Sequence, residues 1–252
     1  MARATLLGGL ARLSWRLGTV VELVTETPTV SSLVFDVPDW PGHVAGQHVD
    51  IRLTAEDGYQ AERSYSIASP PDEPQLALTI ERLEDGEVST YLVGVVQAGD
   101  KVELRGPIGG YFAWRGDEGR PLMLIAGGSG IVPLMAMIRH RAAASIDVPV
   151  RLLYSSRSYE DVIYRDELDR LAADGGLAVS HTLTRSQPGG WSGYSRRIDG
   201  AMVADVAWPT DQEPLAFICG PTPFVETAAG LLVERGYDEA SVKTERFGPT
   251  GG

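Results

Sequence analysis

Pro121–Ala143, with the sequence PLMLIAGGSGIVPLMAMIRHRAA, is the stretch that decides how this chain folds. Its first six residues form an apolar run that is long enough for a buried strand and too short for a helix. Gly127–Gly130 then predicts a turn, and the apolar residues from Ile131 predict a helix with Pro133 in its first turn, where a missing N–H is harmless. Free N–H groups at such a helix N-terminus attract an anion, and glycines let a phosphate approach the backbone. The stretch therefore predicts a phosphate site, and the alternative is an ordinary strand–helix turn whose glycines serve only geometry.

The chain after Gly110 repeats this alternation of strand and helix. Further strands are expected over Val150–Tyr154, Leu177–Thr184, Leu215–Cys219 and Ser241–Phe247, and further helices over Glu160–Ala173, Asp199–Val206 and Thr222–Arg235. Nearly continuous apolar strands that alternate with helices are typical of a parallel sheet covered on both faces. The polar segment Arg115–Gly119 predicts a boundary, so we expect a Rossmann-like α/β domain over residues 116–252.

Residues 1–115 predict a different domain, an antiparallel β-barrel. Strands rich in Val, Ile, Leu and Thr are expected over Thr19–Thr27, Ser31–Val37, Gly46–Leu53, Glu62–Ser69, Gln75–Leu83 and Lys101–Arg105. One helix is expected over Ser89–Gln97. Several short strands separated by Gly and Pro clusters, with no intervening helices, are typical of an antiparallel sandwich or barrel.

Composition excludes several classes of function. The 252 residues carry 22 Lys and Arg against 34 Asp and Glu, a net charge of −12, which argues against binding to nucleic acid or to an anionic membrane. A single cysteine, Cys219, excludes an internal disulfide and an all-cysteine metal cluster. No metal site is expected, because the four histidines lack ligand spacing and are interpreted as packing or surface residues: His43, His48, His140 and His181. No run reaches the length of a membrane span, and we expect a cytoplasmic protein.

The carboxyl ends of parallel strands are where ligands bind in such a sheet. Folds that select NAD usually place an acidic residue after the second strand to bind the ribose 2′-hydroxyl, whereas here that strand ends in Ser155–Arg157. Arg157, Arg185 and one of the pair Arg196 and Arg197 predict instead a site for a 2′-phosphate, which guanidinium groups bind with two parallel hydrogen bonds. The alternative is a set of solvated surface arginines.

Five motifs follow one another along the chain. They are Arg63–Ser66 (RSYS), Gly86–Thr90 (GEVST), Gly128–Pro133 (GSGIVP), Cys219–Pro221 (CGP) and Glu245–Phe247 (ERF). In this order, and across a barrel followed by an α/β domain, they resemble the ferredoxin–NADP reductase family from Arg16 to the end of the chain. The resemblance implies a flavin-binding barrel followed by a domain that binds NAD(P).

The resemblance also implies roles in the first domain. Arg63 would pair with the flavin pyrophosphate, Tyr65 would lie against the isoalloxazine ring, and Ser66 would be a catalytic residue that bonds near N5. Strand alternation puts Arg63 and Tyr65 on one face, so Ser66 needs a bend or a backbone contribution to reach N5. The other implied flavin contacts are Ser64, Ile80, Arg82, Gly86, Val88, Ser89 and Thr90. FAD is the expected flavin and FMN the alternative.

In the second domain, Cys219 and Glu245 are the implied catalytic residues. Cys219 would lie beside the nicotinamide, with a buried core residue as the alternative, and Glu245 would relay a proton or place the nicotinamide. Phe247 would cover the isoalloxazine from the other side, although Gly248–Gly252 continues beyond it, unlike the plant-type pattern that ends in a tyrosine. With the arginines already assigned to the 2′-phosphate, the expected contacts of the nicotinamide cofactor are Gly128, Ser129, Gly130, Arg157, Thr184, Arg185, Arg197, Cys219 and Gly220.

Together these observations predict an FAD-dependent NAD(P)H oxidoreductase that prefers NADPH and acts as a monomer. Reduced FAD would pass electrons to a separate redox protein such as a ferredoxin. The alternatives are a reductase for an oxygenase, a P450 or a molybdenum enzyme, a flavin or quinone reductase with a small-molecule acceptor, and a non-enzymatic relay subunit. Because the net charge gives no long-range attraction to an acidic ferredoxin, a local basic patch is expected, with Arg3, Arg12 and Arg16 as candidates.

Overall fold

The computed structural model describes residues 13–248, which build two sheets. The first sheet has six antiparallel strands in the order β4-β3-β6-β1-β2-β5. The bounds of its elements are β1 Trp15–Thr27, β2 Val30–Asp36, β3 His48–Thr54, β4 Gln60–Ser66, β5 Leu76–Glu81, α1 Glu87–Gly94 and β6 Lys101–Ile108. A bridge between Ile67 and Leu78 links the two ends of the sheet. The predicted antiparallel barrel is therefore confirmed.

Alternate side chains along the strands point into the barrel and form its core. Leu76, Leu78 and Ile80 of β5 are fully buried in a core that also contains Phe35 and Leu104. Each such side chain contributes roughly 1.5–3 kcal/mol on burial. Helix α1 turns its apolar side into the same core and packs against β4 and β5.

The second sheet has five parallel strands in the order β11-β10-β7-β8-β9. Its elements are β7 Leu122–Gly127, α2 Ile131–Ala143, β8 Val150–Ser156, α3 Arg165–Ala173, β9 Leu177–Leu183, α4 Gly200–Val206, β10 Leu215–Pro221, α5 Thr222–Glu234 and β11 Val242–Phe247. Strand β7 is buried along its whole length, because helices cover both faces: α2 and α3 pack on one side, and α4 and α5 on the other. The predicted α/β fold is confirmed. The chain adds β8 and β9 on one side of β7 and then crosses to place β10 and β11 on the other side. Such folds bind ligands at this change of direction, between β7 and β10.

Buried polar contacts join the two sheets. The Tyr164 hydroxyl donates a hydrogen bond to Thr79 Oγ1 on the outer side of the barrel. Arg139 of α2 donates to the Ala68 carbonyl at 2.8 Å and forms a two-pronged ion pair with Glu167 at 2.9 and 2.6 Å. Because buried polar groups demand specific partners, the bonds from Tyr164 to Thr79 and from Arg139 to Ala68 hold the two sheets in one relative orientation. Glu167 fixes the Arg139 side chain from within the parallel domain.

The predicted helix over Glu160–Ala173 is wrong in its first turn, since α3 begins at Arg165. The Asp161 carboxylate accepts hydrogen bonds from the Ser158 amide at 3.0 Å and from the Ser158 hydroxyl at 2.8 Å, and such local contacts compete with helix formation. Tyr164 then adopts a left-handed conformation with φ 59°, which a right-handed helix does not contain.

The predicted strand over Glu62–Ser69 is also too long, because β4 ends at Ser66. The next two residues pair with β5 instead of continuing along β3. Ile67 bridges to Leu78, and the Ala68 amide donates to the Ala77 carbonyl at 2.8 Å. The other predicted strands and helices are present with small shifts at their ends.

Candidate active site

The glycine turn after β7 lies directly against the end of β10. Gly128 has φ 56°, a left-handed value that favours glycine. A Cβ atom on Gly130 would lie 2.1 Å from the Cys219 carbonyl oxygen, so no larger residue fits there. The Ile131 amide already donates to the Gly128 carbonyl, but no side chain caps the start of α2, so an anion can use the next N–H groups of the first turn. The turn fits the predicted phosphate site.

Four residues lie next to one another where the two sheets come together, and we name them the junction row: Ser66, His48, Glu245 and Cys219. His48 is the register partner of Ser66 in the barrel sheet, and Cys219 is the register partner of Glu245 in the parallel sheet. His48 Nδ1 lies 3.9 Å from Glu245 Oε1, which joins the two pairs. The three residues predicted to be catalytic, Ser66, Cys219 and Glu245, are thus brought to one place.

His48 is the member of the junction row that sequence reasoning misses. It is interpreted there as a packing or surface residue, because no spacing of metal ligands singles it out. The structure shows a side chain that is 26% exposed and faces Glu245. The only local signal is the alternation of HVDIRL, which predicts a strand but not what the first residue of that strand faces across the domain boundary.

Burial controls the charges in the junction row. It raises the pKa of Glu245 to about 7, lowers the pKa of His48 below its ordinary value, and raises the pKa of the Cys219 thiol well above its ordinary value. Cys219, 1% exposed, is therefore a neutral thiol at physiological pH. Glu245 Oε2 is buried and has no hydrogen-bond partner among the described residues. An unpaired buried acceptor of this kind fits a site that a ligand completes.

The flavin-binding residues predicted on β4 differ in what surrounds them. Arg63 is exposed; its guanidinium donates to the Glu62 carbonyl at 2.7 Å, and among residues 13–248 no carboxylate pairs with it. Tyr65 packs against the barrel core, and burial raises its pKa to about 12. The Ser64 hydroxyl, by contrast, donates to Asp50 at 2.7 Å. Arg63 is therefore free to bind an anion, whereas the Ser64 hydroxyl is already engaged.

Helix α1 begins at Glu87 and ends at Gly94, so the prediction of a helix over Ser89–Gln97 is shifted along the chain. The Ser89 hydroxyl accepts from the Leu83 amide at 3.2 Å and donates to the Gly86 carbonyl at 3.3 Å. The Thr90 hydroxyl donates to the Leu83 carbonyl at 3.1 Å. These hydroxyls hold the turn before the helix, which leaves main-chain N–H groups as its donors for a phosphate. A Cβ atom on Gly86 would lie 2.3 Å from Ser89 Oγ, so a larger residue here would displace the hydroxyl that holds this turn.

Two other predicted flavin contacts, Ile80 and Val88, have side chains that are 1% exposed and belong to the barrel core. Neither side chain is therefore accessible to a ligand. Arg82 is exposed just beyond the end of β5, and its amide donates to the Thr29 carbonyl at 2.8 Å. Of these three residues, Arg82 is the one whose side chain is open to a flavin.

The predicted 2′-phosphate arginines lie on neighbouring loops at the carboxyl ends of β8 and β9. The Arg185 amide donates to the Arg157 carbonyl at 2.8 Å, and both side chains are exposed. Thr184 is tied to the end of β8 by its hydroxyl, which donates to the Ser156 carbonyl at 3.2 Å. The structure thus brings Arg157 and Arg185 together.

The two later arginines, Arg196 and Arg197, differ in their ion pairs. Arg196 is paired with Asp199 at the start of α4, at 2.5 Å, whereas Arg197 is exposed and has no ion pair among the described residues. Arg197 is therefore the member of this pair that remains available to a phosphate.

The remaining predicted residues lie near the ends of the described chain. Phe247 is 37% exposed and is the register partner of Pro221, which places it at the same edge of the sheet as Gly220. Arg16 donates to the Ser14 carbonyl at 3.4 Å. Arg3, Arg12 and the tail 249–252 lie outside the described residues.

Within residues 13–248, no group of three His, Cys, Asp or Glu side chains is placed to hold a metal ion. No helix in the same part of the chain is both long enough and apolar enough to cross a membrane.

Comparison with known proteins matches two domain families in succession. Residues 18–113 match the oxidoreductase FAD-binding domain, and residues 124–230 match the oxidoreductase NAD-binding domain. The chain is 33% identical over 230 residues to ferredoxin–NADP reductase B of Sorangium cellulosum, covering 88% of this chain and 93% of that protein. It is also 33% identical over 235 residues to a glycine betaine monooxygenase reductase subunit of Pseudomonas aeruginosa.

The second of these relatives is longer than the present chain. The match covers 91% of this chain but 63% of that reductase subunit. Among solved structures, the flavohem-like FAD/NAD-binding domain of nitric oxide dioxygenase from Vibrio cholerae has a TM-score of 0.82 at 26% identity. That match covers 93% of this chain and 99% of the other. Both halves of the chain, and their order, are therefore those of known flavin- and nicotinamide-binding oxidoreductases.

Proposed function

The chain belongs to the ferredoxin–NADP reductase family, and from this premise we propose that it is a flavin-dependent NAD(P)H oxidoreductase that prefers NADPH. It passes electrons from reduced FAD to a separate redox protein such as a ferredoxin. The observation that carries this proposal is the junction row, Ser66–His48–Glu245–Cys219, in which each proposed domain contributes one half. We divide the chain into residues 1–115 and 116–252, and we place the protein in the cytoplasm as a monomer.

The residues of the first proposed domain bind and shield the flavin. FAD, when bound, supplies the atom that accepts hydride and the ability to release electrons one at a time. Arg63, unpaired with any carboxylate in the described chain, neutralises the pyrophosphate through charge-assisted hydrogen bonds. Tyr65, half-buried against the core, offers an aromatic face that excludes water. Ser66 lies next to His48 and supplies a hydroxyl at the inner end of this site.

The residues of the second proposed domain orient the nicotinamide and hold a proton. Cys219 is a small neutral side chain at the end of β10 and would leave room for a nicotinamide ring beside a bound flavin, as hydride transfer over a short distance requires. Glu245 has a pKa of about 7 and is thus protonated in part at neutral pH. Its Oε2 atom, which lacks a partner in the described chain, can hold or release a proton beside the reacting groups. His48, 3.9 Å from Oε1, connects this proton site to the barrel.

The preference for NADPH rests on the loops after β8 and β9. Strand β8 ends in Ser156 and is followed by Arg157 rather than by an acidic residue. Arg157 and Arg185 are adjacent, exposed and without carboxylate partners in the described chain. Guanidinium groups in this arrangement bind a phosphate monoester with parallel hydrogen bonds, which favours a dinucleotide that carries a 2′-phosphate.

A second candidate function is that of a reductase component for an oxygenase. It is favoured by the relative from Pseudomonas aeruginosa, which is named as the reductase subunit of a monooxygenase. The chemistry at the junction row is the same in both cases. The two candidates differ only in the protein that accepts electrons from the reduced flavin.

One experiment tests the proposal and separates the candidates. The purified protein, loaded with FAD and kept free of oxygen, is mixed with NADPH, and we expect the flavin absorbance to bleach without any partner. Failure to bleach would reject an autonomous reductase. Oxidised ferredoxin, an isolated oxygenase component and a quinone are then added separately to the reduced protein. Fast reoxidation by the ferredoxin is the expected result, and reoxidation by the oxygenase component alone would favour the second candidate.

A further inference from the structure

A carboxylate from the barrel faces the glycine turn of the other sheet. Glu81, the last residue of β5, accepts a hydrogen bond from the Ser129 hydroxyl, with its Oε2 atom 2.7 Å from Ser129 Oγ. Ser129 lies between Gly128 and Gly130, in the short 3₁₀ turn that leads into α2. Glu81 is therefore an acidic group of one sheet held against the proposed phosphate site of the other.

This carboxylate is not neutralised by a neighbouring cation. Among residues 13–248, no Lys, Arg or His side chain lies within ion-pair distance of Glu81. The first turn of α2 has no side-chain cap, so its N–H groups create a positive potential that a nearby anion occupies. Glu81 and the diphosphate of a dinucleotide would therefore use the same favourable potential and the same Ser129 donor.

We propose that Glu81 weakens the binding of the nicotinamide dinucleotide by competing with its diphosphate for Ser129 and by repelling it. The inference rests on the proposed function, because it takes the turn at Gly128–Gly130 as the diphosphate site. The consequence is a cofactor that exchanges readily: the oxidised dinucleotide leaves the glycine turn faster than it would from a site without this carboxylate. Glu81 thus sets the affinity for the whole dinucleotide, whereas Arg157 and Arg185 set the preference for the 2′-phosphate.

Direct binding measurements on Glu81→Gln test the proposal. The FAD-loaded variant is titrated calorimetrically with NADP⁺ at low ionic strength, and in parallel with 2′-AMP, which carries the 2′-phosphate but no diphosphate. We expect the Kd for NADP⁺ to fall about two- to fivefold, as for the removal of one partly exposed like charge, and the Kd for 2′-AMP to stay unchanged. The increase in affinity for NADP⁺ should be smaller at high salt, because salt screens exposed charges.

Two further variants sharpen the comparison. Glu84→Gln removes the same charge from an exposed position three residues later and should leave the Kd for NADP⁺ unchanged. Glu81→Asp keeps the charge and should bind NADP⁺ nearly as the wild type does. If Glu84→Gln increased the affinity for NADP⁺ as much as Glu81→Gln does, the effect would come from the net charge of the protein and not from the position of Glu81. That result would overturn the proposal.

Other outcomes overturn it in distinguishable ways. Weaker binding of NADP⁺ by Glu81→Gln would mean that the carboxylate accepts hydrogen bonds from a ribose of the cofactor, the opposite role. An unchanged Kd in a protein whose flavin is still bleached by NADPH would refute this inference alone. Failure of the wild type to bind NADP⁺ or NAD⁺ at all would refute the proposed function, and this inference with it.

Discussion

The buried carboxyl of Glu245 should make the stability of the protein depend on pH in a way that one substitution removes. Burial raises its pKa from the ordinary 4.5 to about 7, so the folded state resists ionisation that the unfolded state permits. Glu245 therefore leaves the free energy of unfolding unchanged below about pH 4.5. It lowers that free energy progressively as the pH rises to about 7. Above that pH the loss is constant.

The size of the loss follows from the difference between the two pKa values. At ~1.4 kcal/mol per pKa unit, a rise from 4.5 to about 7 corresponds to at most about 3.5 kcal/mol. The side chain is 27% exposed, and water screens part of this penalty, so we expect about 2 kcal/mol. Glu245→Gln keeps the shape of the side chain without its charge. Relative to this variant, the wild type should lose about 2 kcal/mol of stability between pH 5 and pH 8.

Urea unfolding of flavin-depleted wild type and Glu245→Gln at pH 5, 6, 7 and 8 measures this difference. His48 has a lowered pKa because it is buried, and its contribution is lost as the pH falls, in the opposite direction. Since both proteins contain His48, the comparison between them largely cancels that contribution. Glu234→Gln, which removes an exposed carboxyl from α5, is the control and should show a constant difference from the wild type. A constant difference for Glu245→Gln as well would refute the reasoning, because burial would then not oppose ionisation of this carboxyl.

Three substitutions test the other assignments. Arg185→Ala should raise the KM for NADPH on the order of tenfold while changing the KM for NADH little; equal increases in steady-state assays would remove the 2′-phosphate assignment. Arg63→Ala should purify without colour, because the flavin pyrophosphate loses its cation, and full flavin occupancy by absorbance would contradict that role. Cys219→Ser should slow flavin reduction in the stopped-flow spectrometer while FAD remains bound, and an unchanged rate would leave Cys219 as a core residue only.

The fold could be predicted because each half of the chain has its own hydrophobic pattern. The strand over Leu122–Gly127 is buried on both faces, so an uninterrupted apolar run identifies it. Strand β5 alternates between the barrel core and the opposite side, so the pattern of LALTIE identifies it equally well. Local sequence suffices where burial is decided by the strand or helix itself.

Errors arose where side chains redirect the backbone locally. The acidic and apolar residues over Glu160–Ala173 fit a helix, but Asp161 binds Ser158 and Tyr164 turns left-handed before α3 can begin. Tyr164 adopts this conformation where its hydroxyl reaches Thr79 of the barrel. That contact depends on tertiary structure, and no pattern within the segment predicts it.

The candidate site could be predicted in part. Cys219 and Glu245 were identified through motifs that resemble those of a known family, and the parallel register of β10 and β11 places them side by side. His48 could not be identified, because its contact with Glu245 joins strands from opposite ends of the chain. The hydrogen bonds of the Ser89 and Thr90 hydroxyls in the turn before α1 could not be predicted either, because a hydroxyl near a helix N-terminus is equally suited to binding a ligand.

Strand β5 explains how two separate domains can hold one reaction geometry. On its inner side it builds the barrel core with Leu76, Leu78 and Ile80. On its outer side it meets the parallel domain, where Thr79 receives the hydroxyl of Tyr164 and Glu81 receives that of Ser129. The same short strand therefore lies between the proposed flavin site and the glycine turn. Because hydride transfer tolerates little variation in distance, a strand that packs in the barrel core and also contacts the parallel domain couples the two domains more tightly than a flexible linker would.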